Sequence, residues 1–308
     1  MASVEVNSQP KGQPIFWVHL VSWIRAIPRT AFLSMVGPSL LCVIGYFGWL
    51  YYGAHKLDMA YYGLKKENIH ITQQPPWLKK TNVLDEVFSE SSLASQSLLD
   101  RKTPELLARV FNAHPAVKKT LRVEPMAGGV VINIEYRTPV AMVNCKGNAV
   151  DNGKAGFLPV DVEGILLGVE NFTSSDIPQF IAIFADVNAL ESHGKEGKPF
   201  GDPRVEQAAQ LCQLLVPLRE MARITAVFVY PAQFAGKTKW LLEIQTSGGP
   251  RFKWGSCPGL EGLGEPLAET KLNRIKSIAN DNKQWKVGEI DLTSSSQNPS
   301  SQASFPLK

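Results

Sequence analysis

Residues 103–137 read TPELLARVFNAHPAVKKTLRVEPMAGGVVINIEYR, and they change period twice. Thr103 is expected to cap a helix, with Pro104 at its first position and Glu105 near the positive end of the helix dipole. Leu106, Leu107, Val110 and Phe111 then recur at helical spacing and form a buried stripe. Ala116 to Glu124 reads as a strand, and Met126-Ala127-Gly128-Gly129 as the turn of a hairpin. The returning strand alternates, with Val130, Ile132, Ile134 and Tyr136 on one face and Asn133, Glu135 and Arg137 on the other. Upstream lie a short strand at 68–71 and a helical stretch carrying Val83, Leu84, Val87 and Phe88. The expected unit is therefore β-α-α-β-β over residues 67–137, an open-faced α+β module.

Downstream, residues 138–293 are read as a mainly antiparallel β domain with one or two helices. Phe157 to Leu167 has the form of a hairpin turning at Asp161-Val162-Glu163-Gly164, and Phe180 to Phe184 is an apolar strand. After a polar, Gly-rich loop at 187–201, Asp202-Pro203 opens a helix that turns Val205, Ala208, Ala209, Cys212 and Leu215 inward. Ile224, Ala226, Phe228 and Tyr230 alternate, as do Trp240, Leu242 and Ile244. A second helix is expected over 267–279 and a last strand over 285–292. Residues 294–308 are polar, low in complexity and expected to be disordered.

Upstream of the module, Thr30 to Ala54 contains no charged residue and no His over 25 positions. At ~1.5 Å per residue such a helix is long enough for the ~30 Å hydrocarbon layer. A single transmembrane helix is therefore expected over 30–54, with residues 1–29 as a cytoplasmic tail. The stretch starts too far from the N-terminus and is too long for a cleaved signal peptide. Arg25 and Arg29 on one side balance Lys56, Lys65 and Lys66 on the other, so flanking charge leaves orientation open. Pro14 to Ile24, apolar and with two Trp, reads either as an interfacial segment or as an extension of the anchor.

Composition excludes several classes. The chain has 308 residues, a formal charge of +4, 44% hydrophobic residues and four Cys. That apolar content rules out a wholly disordered chain, and the absence of basic runs beyond Lys-Lys pairs argues against a nucleic-acid binder. Cys42, Cys145, Cys212 and Cys257 contain no CxxC, and the three outside the apolar stretch provide at most one disulfide. There is no dinucleotide fingerprint, P-loop, HExxH or GxSxG. His19, His55, His70, His114 and His193 are scattered, with His114 read as a helix-end residue. Asp161 and Glu163 read as solvated turn residues, Gly259 to Gly264 as a connection, and Asn171-Phe172-Thr173 as a formal glycosylation acceptor. No enzyme, cofactor, metal or small-molecule substrate is expected.

Three local stretches resemble the FtsQ/DivIB family of bacterial division proteins. Leu107 to Val123 is similar to the family's helix, "HP-x-V" turn and strand. Ile132 to Val143 resembles its strand ending in Glu-Arg-x-Pro-Val-Ala, with Tyr136 interposed. Phe157 to Leu167 resembles its "Val-Asp-x-x-Gly" hairpin, and Ile290-Asp291-Leu292 its late "V-D-L" strand. Where the family continues into a further strand, this chain has Thr293 and a Ser-rich tail.

The resemblance implies a POTRA-like domain at 67–137 and a single-pass inner-membrane protein with its C-terminal bulk outside the cytoplasm. It further implies a scaffold at the division septum that binds other membrane subunits, small bitopic coiled-coil proteins of the FtsB/FtsL kind. Val287, Ile290, Asp291 and Leu292 are the expected partner-binding residues. Glu135, Arg137 and Pro139 are expected to hold the junction between the units. The competing reading is a POTRA-bearing component of envelope assembly or polypeptide transport.

Overall fold

The structure is a computed structural model that describes residues 29–146, 156–185, 190–191, 194–234, 237–281 and 285–294. The expected tail up to residue 28, with its apolar segment 14–24, and the C-terminal tail from 295 lie outside the described residues. The chain divides into two compact units, Met1–Gly63 and Leu64–Lys308. Its class is α+β, with two sheets and few helices.

In the first unit, helix α1 (Arg29–Gly48) runs through a π-helical turn (Trp49–Gly53) into α2 (Ala54–Tyr62). Among the described residues no helix is long and apolar enough to cross a membrane, which corrects the expectation of one transmembrane helix over 30–54. The uncharged stretch is not one continuous α-helix. Pro38 lies inside α1, Gly37, Ser39, Gly45 and Gly48 dilute its apolar surface, and the wider turn at Trp49 interrupts the regular ladder. Leu40, Leu41, Val43, Ile44, Phe47 and Trp49 nonetheless stand exposed.

The second unit opens with β1 (Ile69–Ile71), α3 (Val83–Glu90), α4 (Thr103–Ala113), β2 (Val117–Met126) and β3 (Gly129–Tyr136). The sheet order is β1-β3-β2, with β1 parallel to β3 and β2 antiparallel to it. Asn82 caps α3 by accepting from Asp85 N at 3.3 Å. Helix α4 begins one residue earlier than expected, so Thr103 is inside it and its hydroxyl donates instead to Ser97 O at 2.6 Å. Val83, Val87, Leu107, Phe111, Val130, Ile132 and Ile134 form the core. Each such side chain contributes about 1.5–3 kcal/mol by leaving water. Gly128 takes φ +80° in the β2–β3 turn, a conformation that favours glycine.

The larger sheet has eight strands in the order β11-β10-β9-β8-β6-β4-β5, with β7 beside β4. They are β4 (Ala141–Lys146), β5 (Gly156–Val160), β6 (Ile181–Phe184), β7 (Leu190–Glu191), β8 (Ile224–Phe234), β9 (Lys237–Thr246), β10 (Arg251–Gly255) and β11 (Glu289–Asp291). Helix α5 (Pro203–Leu215) lies between β6 and β8 in the chain, and α6 (Ala268–Asn280) between β10 and β11. Each returns the chain so that the flanking strands pair parallel. β4 also pairs parallel with β6 and β7, so the sheet is mixed, which corrects the expectation of a mainly antiparallel one. The expected hairpin at 157–167 turns at 161–164, where Gly164 N donates to Asp161 O at 3.0 Å, but its returning arm is short, joined by Asp161 N to Ile165 O, Leu167 N to Pro159 O and the antiparallel bridge Val160 to Leu166. Val227, Leu242, Ile244, Phe252 and Trp254 meet Val205, Ala208, Cys212, Leu215, Ile275 and Ile278 in a second core cluster.

Candidate protein-interaction edge and junction

Strand β11 is an outer strand of the large sheet, bonded on one side to β10. Arg251 N donates to Gly288 O at 2.8 Å and Leu292 N donates to Lys253 O at 3.0 Å. Residues 288, 290 and 292 therefore direct their main chain at β10. In a parallel ladder the alternate residues point the other way, so the N–H groups of Glu289 and Asp291 and the carbonyl of Glu289 face outward. Arg274 Nη1 covers the Asp291 carbonyl at 3.0 Å. Lys253 holds the Glu289 carboxylate at 2.7 Å.

The four expected partner-binding residues divide accordingly. Val287 is 85% exposed, and Asp291 is exposed with its carboxylate accepting from Thr293 N and Oγ1 at 2.7 and 2.6 Å. Ile290 packs its side chain on the core, and Leu292 is only 1% exposed. Glu289, which the sequence reading did not single out, presents the outward amide. Strand alternation carries that information only once the start of β11 is known.

Among the expected junction residues, Arg137 bridges the two halves of the unit. Its Nη1 donates to Asp161 Oδ2 at 2.6 Å and to Glu163 Oε2 at 3.2 Å. Asp161 is buried rather than solvated, and its Oδ1 accepts from Glu163 N and Ile165 N, both at 2.9 Å. Burial would raise the Glu163 carboxyl, yet Arg137 and Lys118 hold it below the ordinary range. Glu135 pairs with Lys119 at 3.2 Å. Pro139 lines a cleft at the foot of β4.

A second seam was not legible in the sequence. Lys79 Nζ donates to Asp176 at 2.7 Å, and the Asn171 side-chain carbonyl accepts from Lys80 N and Thr81 N at 3.0 and 3.1 Å. Lys79, with the hydroxyl and N–H of Thr173, holds the Asp176 carboxyl down to about 2. Asn171 is buried and its amide donates to Thr81 and Glu170, so the formal glycosylation acceptor is closed off. Trp77 stacks on Phe172, which meets Phe180 edge-on. Nearby, His114 Nε2 lies 3.0 Å from Glu86 while its Nδ1 accepts from Ala116 N.

All four cysteines are free, and burial pushes the Cys145 thiol to about 12 and, with Glu261 and Glu206 nearby, the Cys257 thiol to about 11. Among the described residues no three His, Cys, Asp or Glu side chains form a group that could hold a metal ion. No family model and no curated protein matches the chain.

Proposed function

We propose that this chain is a membrane-held scaffold of the bacterial division complex, of the FtsQ/DivIB kind. In this reading its bulk lies outside the cytoplasm and β11 takes up a strand from a small coiled-coil partner. The observation that carries the reading is the outward main chain of Glu289 and Asp291 on an outer strand. An unpaired edge of this sort pairs with another extended chain unless it is covered. The β-α-α-β-β order over 69–136 is consistent with the POTRA-like half of the same reading. The exposed large apolar side chains between Leu40 and Tyr52 supply a surface for holding the chain at a lipid boundary.

The test is the position of an N-terminal fluorescent fusion through the division cycle. A mid-cell band that precedes constriction is the expected outcome. Uniform membrane signal through constriction would remove the division role and turn attention to envelope assembly.

A further inference from the structure

At the β11 end of the large sheet, on the face that alternates away from the core, charge changes sign from strand to strand. Glu243 of β9 stands opposite Lys253 of β10, and Lys253 stands opposite Asp291 of β11. In the neighbouring row Arg251 stands opposite Glu289. Diagonal ion pairs tie the rows together, Arg251 to Glu243 at 2.9 Å and Lys253 to Glu289 at 2.7 Å. The order is therefore acid on β9, base on β10 and acid on β11. Glu289 and Asp291 are both exposed, so the outermost strand presents two carboxylates to whatever lies beside it.

Opposite charges across neighbouring strands are favourable, and like charges directly opposed are not. A second copy of β11 laid edge to edge would set these two carboxylates against themselves, which disfavours self-pairing. A strand bearing bases continues the pattern. On the other face Ile290 packs on the core cluster and Leu292 is buried, so an added side chain pointing that way meets an aliphatic neighbour. Arg274 reaches the Asp291 carbonyl from α6 on this same side, and it opposes a base placed there.

We propose that the strand taken up by β11 alternates basic and aliphatic residues. Lys or Arg at alternate positions faces Glu289 and Asp291, and an aliphatic residue between them lies beside Ile290. The inference rests on the reading of β11 as a strand acceptor and adds the chemistry of the strand it accepts.

The test uses the full-length protein and fluorescence anisotropy of a labelled peptide, Ser-Thr-Lys-Val-Lys-Val-Thr-Ser. It is compared with forms that carry Gln or Glu in place of both Lys, and with a Lys form N-methylated at every central residue. The Lys peptide is expected to bind best, the Gln form about threefold more weakly and the Glu form about tenfold or more. N-methylation is expected to abolish binding, since it removes the main-chain donors. Glu289→Gln combined with Asp291→Asn is expected to bring the Lys and Gln peptides level. Binding that N-methylation abolishes but that ignores charge would overturn the inference and leave β11 a strand acceptor. Binding of the Lys peptide that survives N-methylation would overturn it as well, by showing charge attraction without strand pairing. No binding of any form would overturn strand acceptance and the inference together. The comparison among peptides needs no substitution, so it stands even where the double variant perturbs β11.

Discussion

The Lys271 ammonium, its side chain wholly buried, lies 2.7 Å from Glu265 Oε1 and 2.7 Å from the Trp254 carbonyl oxygen. Glu265 also accepts from Ser256 N at 2.8 Å, from Ser256 Oγ at 2.6 Å and from Gly262 N at 3.0 Å. This cluster ties α6 to the loop that follows β10, next to the strand proposed to receive a partner. Forming a buried pair gains little, whereas stranding one member is costly. Glu265→Ala is therefore expected to lower unfolding free energy by about 3–5 kcal/mol, read from denaturant midpoints. A loss under about 1 kcal/mol would mean that Lys271 is solvated on the solution timescale.

Acid sensitivity follows from the same carboxylate. Burial would raise Glu265, but the bonds from Lys271, Ser256 and Gly262 bring it down to about 2. Its unfolded value is about 4. A folded value below the unfolded one means that the stabilisation is complete above about pH 4 and is lost as pH falls towards 2. Asp176, also held to about 2, acts in the same window. Thermal midpoints should fall steeply between about pH 4 and 2, and less steeply in Glu265→Gln, whose baseline is already lowered.

Glu196 has the opposite sign. Burial raises its carboxyl, with Glu170 and Glu86 nearby adding to the effect. A raised folded value means that the group favours the folded state at low pH, and that contribution disappears as pH rises through the folded value. Glu196 is exposed, so water screens much of this effect, and at neutral pH the ionised carboxylate is a small liability. Glu196→Gln, still able to accept from Val169 N, which lies 3.3 Å from Oε1, should raise the thermal midpoint at pH 7 and leave it nearly unchanged near pH 4. A shift on substitution no larger at pH 7 than at pH 4 would show that the carboxylate is fully solvated.

Arg137→Leu removes the guanidinium that joins Asp161 and Glu163 to the first half of the unit. The Arg137 side chain is 13% exposed and that of Asp161 4%, so an uncompensated charge is left largely buried. The expected cost is about 3 kcal/mol. Limited proteolysis between Tyr136 and Val140 should accelerate, because the crossover loses its anchor. Protection equal to that of the unsubstituted protein would mean that the Lys79–Asp176 seam suffices alone.

How much of this was legible in sequence varied by element. The β2–β3 hairpin was readable because Gly128-Gly129 and the Val130–Ile134 alternation speak through local sterics and a period of two. Asp202-Pro203 marked α5 for the same reason, with Asp202 accepting from Arg204 N at 2.9 Å. The sheet's handedness of pairing was missed although helices at 203–215 and 267–279 between strands already imply parallel returns. Asp161, Asn171 and Lys79 were beyond reach, since their partners are 24 to 97 residues away and nothing local distinguishes a buried turn Asp from a solvated one. The expected last strand over 285–292 is shorter in the structure, Glu289–Asp291, and which of its residues face outward was not legible, because parity depends on the register with β10.

That parity decides how the edge should be tested. Proline at Ile290 is the obvious choice for blocking strand addition, yet the Ile290 amide belongs to the β10 ladder, between the bonds at Gly288 and Leu292. Removing it would detach β11 from its own sheet, and any loss of binding would then report local unfolding. Glu289 directs its N–H away from β10, where proline removes an outward donor and leaves the inner bonds intact. Glu289→Pro is therefore expected to reduce recovery of a strand-donating partner about tenfold in co-purification, with the unfolding midpoint within about 0.5 kcal/mol of the original. Ile290→Pro should lower both. Undiminished recovery with Glu289→Pro would show that a partner, where one is bound, docks elsewhere than on the β11 main chain.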